Sequence, residues 1–385
     1  MAPPHQTPSI IYSPLPGTLA GPRDHAKPTH SSIPLQGPER CIQFEHHTLE
    51  SGKIISPCPV VYASWGKLNE AKDNVILVCH AFSGSSNVSH WWGAILGDGK
   101  ALDPSNYFII CINVLGSPYG TASPLTPSFA KGGRPYGPDF PLTTIRDDVR
   151  LQRRLLDYLG ITKLHTVIGG SMGGMVALEW AVMHGESGYV HRLLPISTSG
   201  RLSAWAVGWN EIQRRIITSD PLFLEGHYPE DRPPTQGLAT ARMSALLTYR
   251  SHQSVQDRFQ RKQQPGKSGI FSIQSYLEYQ GDKFLSRFDA NCYIALTHKL
   301  DSHDVAHGRP RPYEAILGSI TCPTLVIGIP SDVLFPLSEQ QELSYHLPNA
   351  TLCLVTSSDG HDGFFIEDSQ VNDLIHSFIT APSPV

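Results

Sequence analysis

The chain has 385 residues, of which 40% are hydrophobic and 17% charged, and its 30 Lys and Arg against 34 Asp and Glu leave a net charge of −4. This composition excludes a self-repelling disordered chain, and the lack of a basic excess argues against a nucleic-acid-binding protein. No apolar run approaches the ~20 residues that a membrane-spanning helix requires, so we expect no membrane partner.

The N-terminal segment 1–43 is rich in proline and lacks the charged start and apolar core of a secretory signal. We expect it to be a disordered extension. The seven cysteines are odd in number and form no C-x-x-C pair, which favours a reducing compartment over a disulfide framework. The cytoplasm is therefore the expected location.

Short apolar runs of strand length follow, each bounded by turn residues. They are Val75–Cys79, Tyr107–Ile112, Thr166–Ile168, Leu193–Ile196, Thr324–Ile329 and Thr351–Val355. Nearly continuous apolar runs are typical of parallel strands covered on both faces. Helical patterns at Asp147–Leu159 and Gly174–Met183 lie between these strands, so the sequence predicts an α/β fold with a mostly parallel sheet.

The alternation of strands and helices stops between residues 200 and 319, where the patterns are helical apart from a polar loop near Gln260–Gly269. The simplest interpretation is one α/β core, residues 44–199 and 320–385, split by a helical insertion at 200–319. Because such insertions commonly carry binding residues, we expect this one to form a lid over a site.

A G-x-S-x-G motif, Gly169 to Gly173, comes directly after an apolar strand and directly before a helix. In this context the central Ser171 occupies a tight strand-to-helix turn that exposes its hydroxyl as a nucleophile. The N–H groups of the following helix point towards that hydroxyl, and the N–H of Met172 is one predicted donor to an oxyanion. The backbone N–H of Phe82, in the loop after strand Val75–Cys79, is the second.

A nucleophilic serine needs a base, and the base needs an orienting carboxylate. For this motif the order along the chain is Ser, then Asp or Glu, then His. Asp332 and His361 each follow a predicted strand, so we predict them as the acid and the base. Asp359 and Asp362 are local competitors for the acidic role, but both share the loop that carries the histidine.

Longer stretches of the chain resemble one family, the homoserine O-acetyltransferases. They are KALDPSNYFIICINVLGSPYGTASP, RPYGPDFPLTTIRDDVRLQRRLLDYLGI, IGGSMGGMVALEWA, SYLEYQGDKFLSRFDANCYIALTHKLDSHDV and GHDGFF. The resemblance runs from about Phe44 to Ile379. It implies an α/β-hydrolase fold with a helical lid, acetyl transfer from acetyl-CoA through an acetyl-serine, and a homodimer built through the lid.

The same resemblance places the family's nucleophile, acid and base on Ser171, Asp332 and His361. It also associates Arg242 and Tyr249, two helical turns apart in the lid, and Asp362 with an amino-acid substrate. An arginine offers a planar fork to a carboxylate, and Asp362 is a suitable acceptor for an ammonium group. L-homoserine is the expected acceptor and acetyl-CoA the co-substrate, with no bound cofactor and no metal.

One departure keeps other acceptors open. Many family members carry an LGGC-type turn where this chain has Leu115 to Gly120, LGSPYG, a variant also similar to serine O-acetyltransferases and deacetylcephalosporin C acetyltransferase. Two further alternatives are an esterase or thioesterase, in which water is the acceptor, and a non-enzymatic binding module. The presence of all three triad residue types argues against the last.

Overall fold

The computed structural model describes residues 39–266 and 269–382. Most of the predicted disordered extension, residues 1–38, therefore lies outside the described part. The predicted end of this extension at residue 43 is wrong, because Glu39–Phe44 forms strand β1, which pairs antiparallel with strand Cys58–Trp65. This edge strand is half-exposed and mixes polar with apolar side chains, so its local pattern resembles that of a polar linker.

Eight strands of the described chain form one sheet in the order β1-β4-β6-β5-β7-β8-β9-β10. Their bounds are Glu39–Phe44 (β1), Cys58–Trp65 (β4), Val75–Cys79 (β5), Phe108–Ile112 (β6), Leu164–Gly170 (β7), Leu193–Ile196 (β8), Thr324–Gly328 (β9) and Ala350–Leu354 (β10), while His47–Thr48 (β2) and Ile54–Ile55 (β3) pair separately. Strands β5 to β10 are mutually parallel. Strand β4 runs antiparallel to both of its neighbours, β1 and β6. The predicted mostly parallel sheet is confirmed.

Helices cover both faces of the sheet. In β5, Leu77 faces the core that contains the helices Ile145–Tyr158 and Met172–His184, whereas Ile76 faces the core that contains the helix Asp368–Thr380. Burial on both faces explains why the parallel strands read as unbroken apolar runs. The helices are Ser89–Trp92 (α1), Ile145–Tyr158 (α2), Met172–His184 (α3), Ala204–Thr218 (α4), Thr235–Tyr249 (α5), His252–Phe259 (α6), Ser272–Leu285 (α7), Ala290–Asp301 (α8), Tyr313–Leu317 (α9), Leu337–His346 (α10), Gly363–Ile366 (α11) and Asp368–Thr380 (α12). In the described ranges, none is both long and apolar enough to cross a membrane.

The segment between β8 and β9 contains α4 to α9, and we call residues 200–319 the lid. A fully buried ion pair ties it to the core. Lys299 Nζ in α8 lies 2.6 Å from Asp148 Oδ2 in α2, and it also donates to Leu115 O. Asp148 Oδ1 accepts the Leu115 N–H at 2.8 Å. Both charges are thus hydrogen-bonded to the same backbone segment after β6, which satisfies the requirement for burying them.

Candidate active site

Ser171 occupies a strained turn between β7 and α3. Its φ of 56° and ψ of −126° place a non-glycine residue in a sparsely populated region. The surrounding structure fixes this conformation, since the Ser171 N–H donates to Ile196 O at 2.9 Å and Thr198 Oγ1 donates to Ser171 O at 2.8 Å. The side chain is buried at the carboxyl end of the sheet.

Glycines on either side of Ser171 allow the turn to close. A Cβ on Gly169 would lie 2.2 Å from Gly173 O, and one on Gly173 would lie 2.0 Å from Cys79 O. No side chain fits at such distances, so both positions require glycine. The motif therefore reflects close approach of α3 to β7 and to the end of β5.

Asp332 and His361 are brought together by the loops after β9 and β10. His361 Nδ1 lies 2.6 Å from Asp332 Oδ2, and Asp332 Oδ1 accepts the N–H groups of Leu334 and Phe335. Burial alone would lower the pKa of His361, but the charge and hydrogen bond of Asp332, with a further contribution from Asp362, outweigh it and raise that pKa. The pair is thus built to stabilise an imidazolium.

Shared neighbours connect His361 to Ser171. The Phe364 ring lies beside Gly170, since a Cβ added to Gly170 would be 2.7 Å from that ring. The centroids of the Phe364 and His361 rings are 5.6 Å apart. Phe335 lies 5.3 Å from the same ring and lines a cavity of about 40 Å³ together with Ser171. The described contacts contain no hydrogen bond between Ser171 Oγ and His361; such bonds are often long before substrate binds.

The loop after β5, residues 80–85, presents the Phe82 N–H, and we call it the β5 loop. Within residues 39–266 and 269–382, neither this N–H nor that of Met172 has a hydrogen-bond acceptor. His80 Nε2 accepts the Val114 N–H at 3.1 Å, so its proton is on Nδ1, which donates to Ala81 O at 2.9 Å. Because Ala81 O and the Phe82 N–H belong to one planar trans peptide, fixing the carbonyl aims the N–H the opposite way.

The protonation state of His80 supports this arrangement. Burial is the main cause that lowers the pKa of His80 to about 4; the hydrogen bond to Ala81 opposes this shift and the charge of Lys299 adds to it. The ring is therefore neutral near pH 7 and keeps one donor and one acceptor nitrogen. The sequence singled out the β5 loop but not this role of its first residue.

Helix α5 carries Arg242 and Tyr249 to the same site. The Arg242 guanidinium lies 5.3 Å from the Tyr249 ring centroid, and that ring is 6.0 Å from His361. Tyr249 also lines the cavity of Ser171. Arg242 Nη1 is buried and has no hydrogen-bond partner among the described residues. A buried donor without an acceptor is costly, so this group is suited to an incoming anion.

Asp362 has a partner that the sequence does not reveal. Arg250, one residue beyond α5, places Nε 3.1 Å from Asp362 Oδ2 and Nη1 2.6 Å from Asp359 Oδ1. Burial raises the pKa of Asp362, although the charges of Arg250, His361 and Arg242 oppose that rise. No local pattern marks Arg250, because its partners lie more than 100 residues away.

Two larger cavities lie at opposite ends of the sheet. One of about 510 Å³ opens beside the β5 loop and is lined by Arg242, Lys283 and Arg287 of the lid. The other, of about 740 Å³, lies at the amino ends of the strands and is lined by none of the predicted site residues. In the described chain no cluster of His, Cys, Asp and Glu side chains is arranged to hold a metal ion.

Comparison with known proteins gives a consistent set of matches. Residues 74–368 match the family described as alpha/beta hydrolase fold. The homoserine O-acetyltransferase of Salinibacter ruber is 49% identical over 334 residues, which cover 86% of this chain and 94% of that protein.

Solved structures extend the comparison to a second activity. The homoserine O-acetyltransferase of Bacillus anthracis superposes with a TM-score of 0.82 at 26% identity, covering 90% of this chain and 98% of that one. Esterase E22 superposes with a TM-score of 0.81 at 29% identity, covering 89% and 99%. The same architecture is thus shared by a protein named as a transferase and one named as an esterase.

Proposed function

Because this chain belongs to the homoserine O-acetyltransferase family of α/β hydrolases, we propose that it transfers an acetyl group from acetyl-CoA to the side-chain hydroxyl of L-homoserine. The observation that carries the proposal is the identity of 49% with a homoserine O-acetyltransferase across most of both chains. The geometry around Ser171, Asp332 and His361 supports a role for these residues in both half-reactions.

In the first half-reaction, Ser171 Oγ attacks the thioester carbonyl while His361 Nε2 takes the serine proton. Asp332 holds the imidazole through Nδ1 and stabilises its positive charge. The N–H groups of Phe82 and Met172 stabilise the oxyanion. The carbon–sulfur bond then breaks, His361 returns its proton to the departing CoA sulfur, and acetyl-Ser171 remains.

In the second half-reaction, the homoserine hydroxyl attacks acetyl-Ser171. His361 takes the proton of that hydroxyl and gives it back to Ser171 Oγ as the ester bond to the enzyme breaks. Trp209, Leu334 and Phe335 line the small cavity at Ser171. These apolar side chains favour the exclusion of water, which would otherwise compete with the acceptor for the acetyl group. Free CoA and O-acetyl-homoserine are the products.

Two charged groups support the preference for an amino acid as the acceptor. We expect Arg242 Nη1, which is buried without a partner among the described residues, to bind the acceptor carboxylate with charge-assisted hydrogen bonds. We expect Asp362, beside the base, to accept a hydrogen bond from the ammonium group while Arg250 keeps its carboxylate oriented. The two together select a zwitterion over a simple alcohol.

The cavity of about 510 Å³ beside the β5 loop is the proposed entry for acetyl-CoA. Lys283 lines its lid side and brings a positive charge that complements the phosphates of CoA. Ala81, Ser83 and Gly84 line the same cavity, so a thioester entering there meets the loop that carries the Phe82 N–H.

The exposed apolar stripe on α4 supports a homodimer through the lid. Trp205 and Ile212 are seven residues apart on one helix face, and 56% and 47% of their surfaces are exposed. A second copy of the chain covering this stripe would remove it from water. Light scattering after size-exclusion chromatography tests this, and Ile212→Glu is expected to shift the protein towards monomer.

The deciding experiment supplies acetyl-CoA with homoserine, serine, deacetylcephalosporin C or water alone, and follows free CoA together with the acetylated product. The proposal expects rapid CoA release with homoserine and slow release with water. The likeness to esterase E22 favours hydrolysis as the second candidate. Equal CoA release with and without any acceptor, accompanied by free acetate, would establish that candidate instead.

A further inference from the structure

We propose that Arg287, a residue of the lid, is a positioning residue that holds the β5 loop so that the Phe82 N–H is aimed at the reacting carbonyl. This inference rests on the proposed covalent chemistry at Ser171, but it is independent of which alcohol accepts the acetyl group. It assigns to the lid a part in transition-state stabilisation, beyond substrate recognition.

The contacts of Arg287 converge on the far end of the β5 loop. Its Nη1 donates to Ser83 O at 2.7 Å and lies 2.7 Å from Tyr119 Oη. Tyr119 Oη donates to the same Ser83 carbonyl at 3.3 Å, and Asn113 Nδ2 holds the Tyr119 backbone at 2.8 Å. A lid cation and a core tyrosine therefore share one backbone oxygen, one residue beyond Phe82.

His80 fixes the near end of the loop through Ala81 O, so the Phe82 peptide is held between two anchors. The Phe82 side chain is also packed from the lid, with its ring 6.3 Å from Phe288 and 4.9 Å from Tyr293. Loss of Arg287 would leave the far anchor with only the 3.3 Å bond from Tyr119 Oη, while the His80 anchor remained. The expected result is a displaced or mobile N–H at an unchanged Ser171.

Displacement of an oxyanion donor has a characteristic kinetic effect. The donor acts on charge that exists only in the transition state, so its loss lowers kcat far more than it raises KM. Removing one such donor costs about 10²–10³-fold in kcat, so partial misplacement through Arg287→Met is expected to cost roughly 10- to 100-fold.

The test measures acetylation of Ser171 by 4-nitrophenyl acetate and by acetyl-CoA in the full-length chain, for wild type and for Arg287→Met. The ester carries neither phosphates nor a carboxylate, so a side chain that only binds CoA has nothing to hold. Arg258→Met is the matched control, because Arg258 is also a lid cation stacked on an aromatic ring, 4.9 Å from the Tyr276 centroid against 4.8 Å for Arg287 and Phe284.

The proposal expects kcat to fall by a similar factor with both acetyl donors, with KM for the ester within about threefold of wild type. Arg287→Gln, which retains one donor for Ser83 O, should recover part of the loss. Wild-type reaction of Arg287→Met with the ester and impaired reaction with acetyl-CoA alone would overturn it and make Arg287 a CoA-binding group.

A second variant distinguishes loss of the positioning contact from failure of the protein to fold. Tyr119→Phe removes only the hydroxyl with its two hydrogen bonds. We expect a smaller loss of kcat with both donors and a melting temperature lowered by only a few degrees, since a hydrogen bond contributes about 1 kcal/mol to stability. An unaltered rate in both Tyr119→Phe and Arg287→Gln would contradict the inference. Wild-type acetylation by the ester without transfer to homoserine would refute the proposed acceptor and leave the Arg287 comparison valid.

Discussion

Gly360 lies so close to Ser251 that a Cβ on Gly360 would be 2.6 Å from the Ser251 backbone nitrogen. Gly360 directly precedes His361, and Ser251 follows the end of α5, which carries Arg242 and Tyr249. The same Ser251 donates its hydroxyl proton to Ser358 O in the loop after β10, residues 355–362, which we call the histidine loop. The lid thus abuts the loop that carries the proposed base, backbone against backbone.

This contact predicts that Gly360→Ala damages both stability and catalysis. Gly360 has a φ of +71°, and the left-handed conformation costs an alanine about 1–2 kcal/mol before the contact with Ser251 is counted. Gly188→Ala is the control, since Gly188 has a φ of +70° and a Cβ added there would meet nothing within 4 Å. Thermal unfolding and kcat of both variants give the comparison.

We expect Gly188→Ala to lose only the stability that the left-handed backbone conformation costs an alanine, and to keep its kcat. Gly360→Ala should lose more stability and should also shift the histidine loop, which lowers kcat. Equal losses of stability with an unchanged kcat in both would show that the loop adjusts without cost.

The second prediction concerns the acetyl-enzyme. With acetyl-CoA and no acceptor, one equivalent of CoA should appear in a burst and mass spectrometry should find the acetyl group on Ser171. Ser171→Ala should lose at least ~10⁴-fold in kcat, and His361→Ala about as much, with the double variant little worse because the residues act as a unit. An acetyl group on another residue, or retained turnover in His361→Ala, would refute the assignment.

The third prediction is the pH dependence of acetylation. Only neutral His361 accepts the serine proton, and its pKa is raised above the ordinary 6.5, so the rate should rise with pH through a midpoint above 6.5. Asp362→Asn removes a negative charge that stabilises the imidazolium, and the midpoint should move to lower pH. The exposed Asp282→Asn serves as the control with an unchanged profile. A midpoint that rises in Asp362→Asn would reverse the electrostatic argument.

The fourth prediction separates the two half-reactions. If Arg242 binds the acceptor carboxylate, Arg242→Ala should leave acetyl-Ser171 formation nearly intact and slow transfer to homoserine. Losing a hydrogen bond to a charged group costs about 1.5–3 kcal/mol, or roughly 10- to 150-fold. Rapid-quench measurement of each step gives the two rates.

Arg215→Ala is the matched control for that experiment, because Arg215 is a lid arginine whose side chain is 81% exposed. Equal slowing of both half-reactions in Arg242→Ala would indicate a disturbed lid rather than a lost carboxylate contact. Efficient acetylation of an alcohol that lacks a carboxylate would redirect the search to another acceptor.

The parallel strands were predictable because burial on both faces leaves an unbroken apolar run. β1 and β4 were not predicted: Cys58–Trp65 includes Pro59 and ends in half-buried Ser64 and Trp65, so it does not read as a core strand. The family resemblance stated from the sequence motifs is confirmed, and with it the α/β-hydrolase fold.

Local context explains why the sequence singles out three of the candidate site residues. Ser171 follows a strand and precedes a helix, and Asp332 and His361 follow strands, so position alone favoured them; their chemical roles stay predictions. Arg250 and Arg287 have no such context, since Arg250 meets Asp359 across 109 residues and Arg287 meets Tyr119 across 168. Contacts over such separations arise from tertiary packing and leave no pattern in a single sequence.

The buried pair of Lys299 and Asp148 has a consequence for how lids can be exchanged between relatives. A chimaera that takes its lid from one parent and its core from another inherits one charge from each. If either parent lacks its member, a single charge is left buried, at a cost of about 3–5 kcal/mol, a large share of the roughly 5–15 kcal/mol that stabilises a typical domain. A lid exchange therefore has to keep Lys299 and Asp148 together, or replace both of them at once.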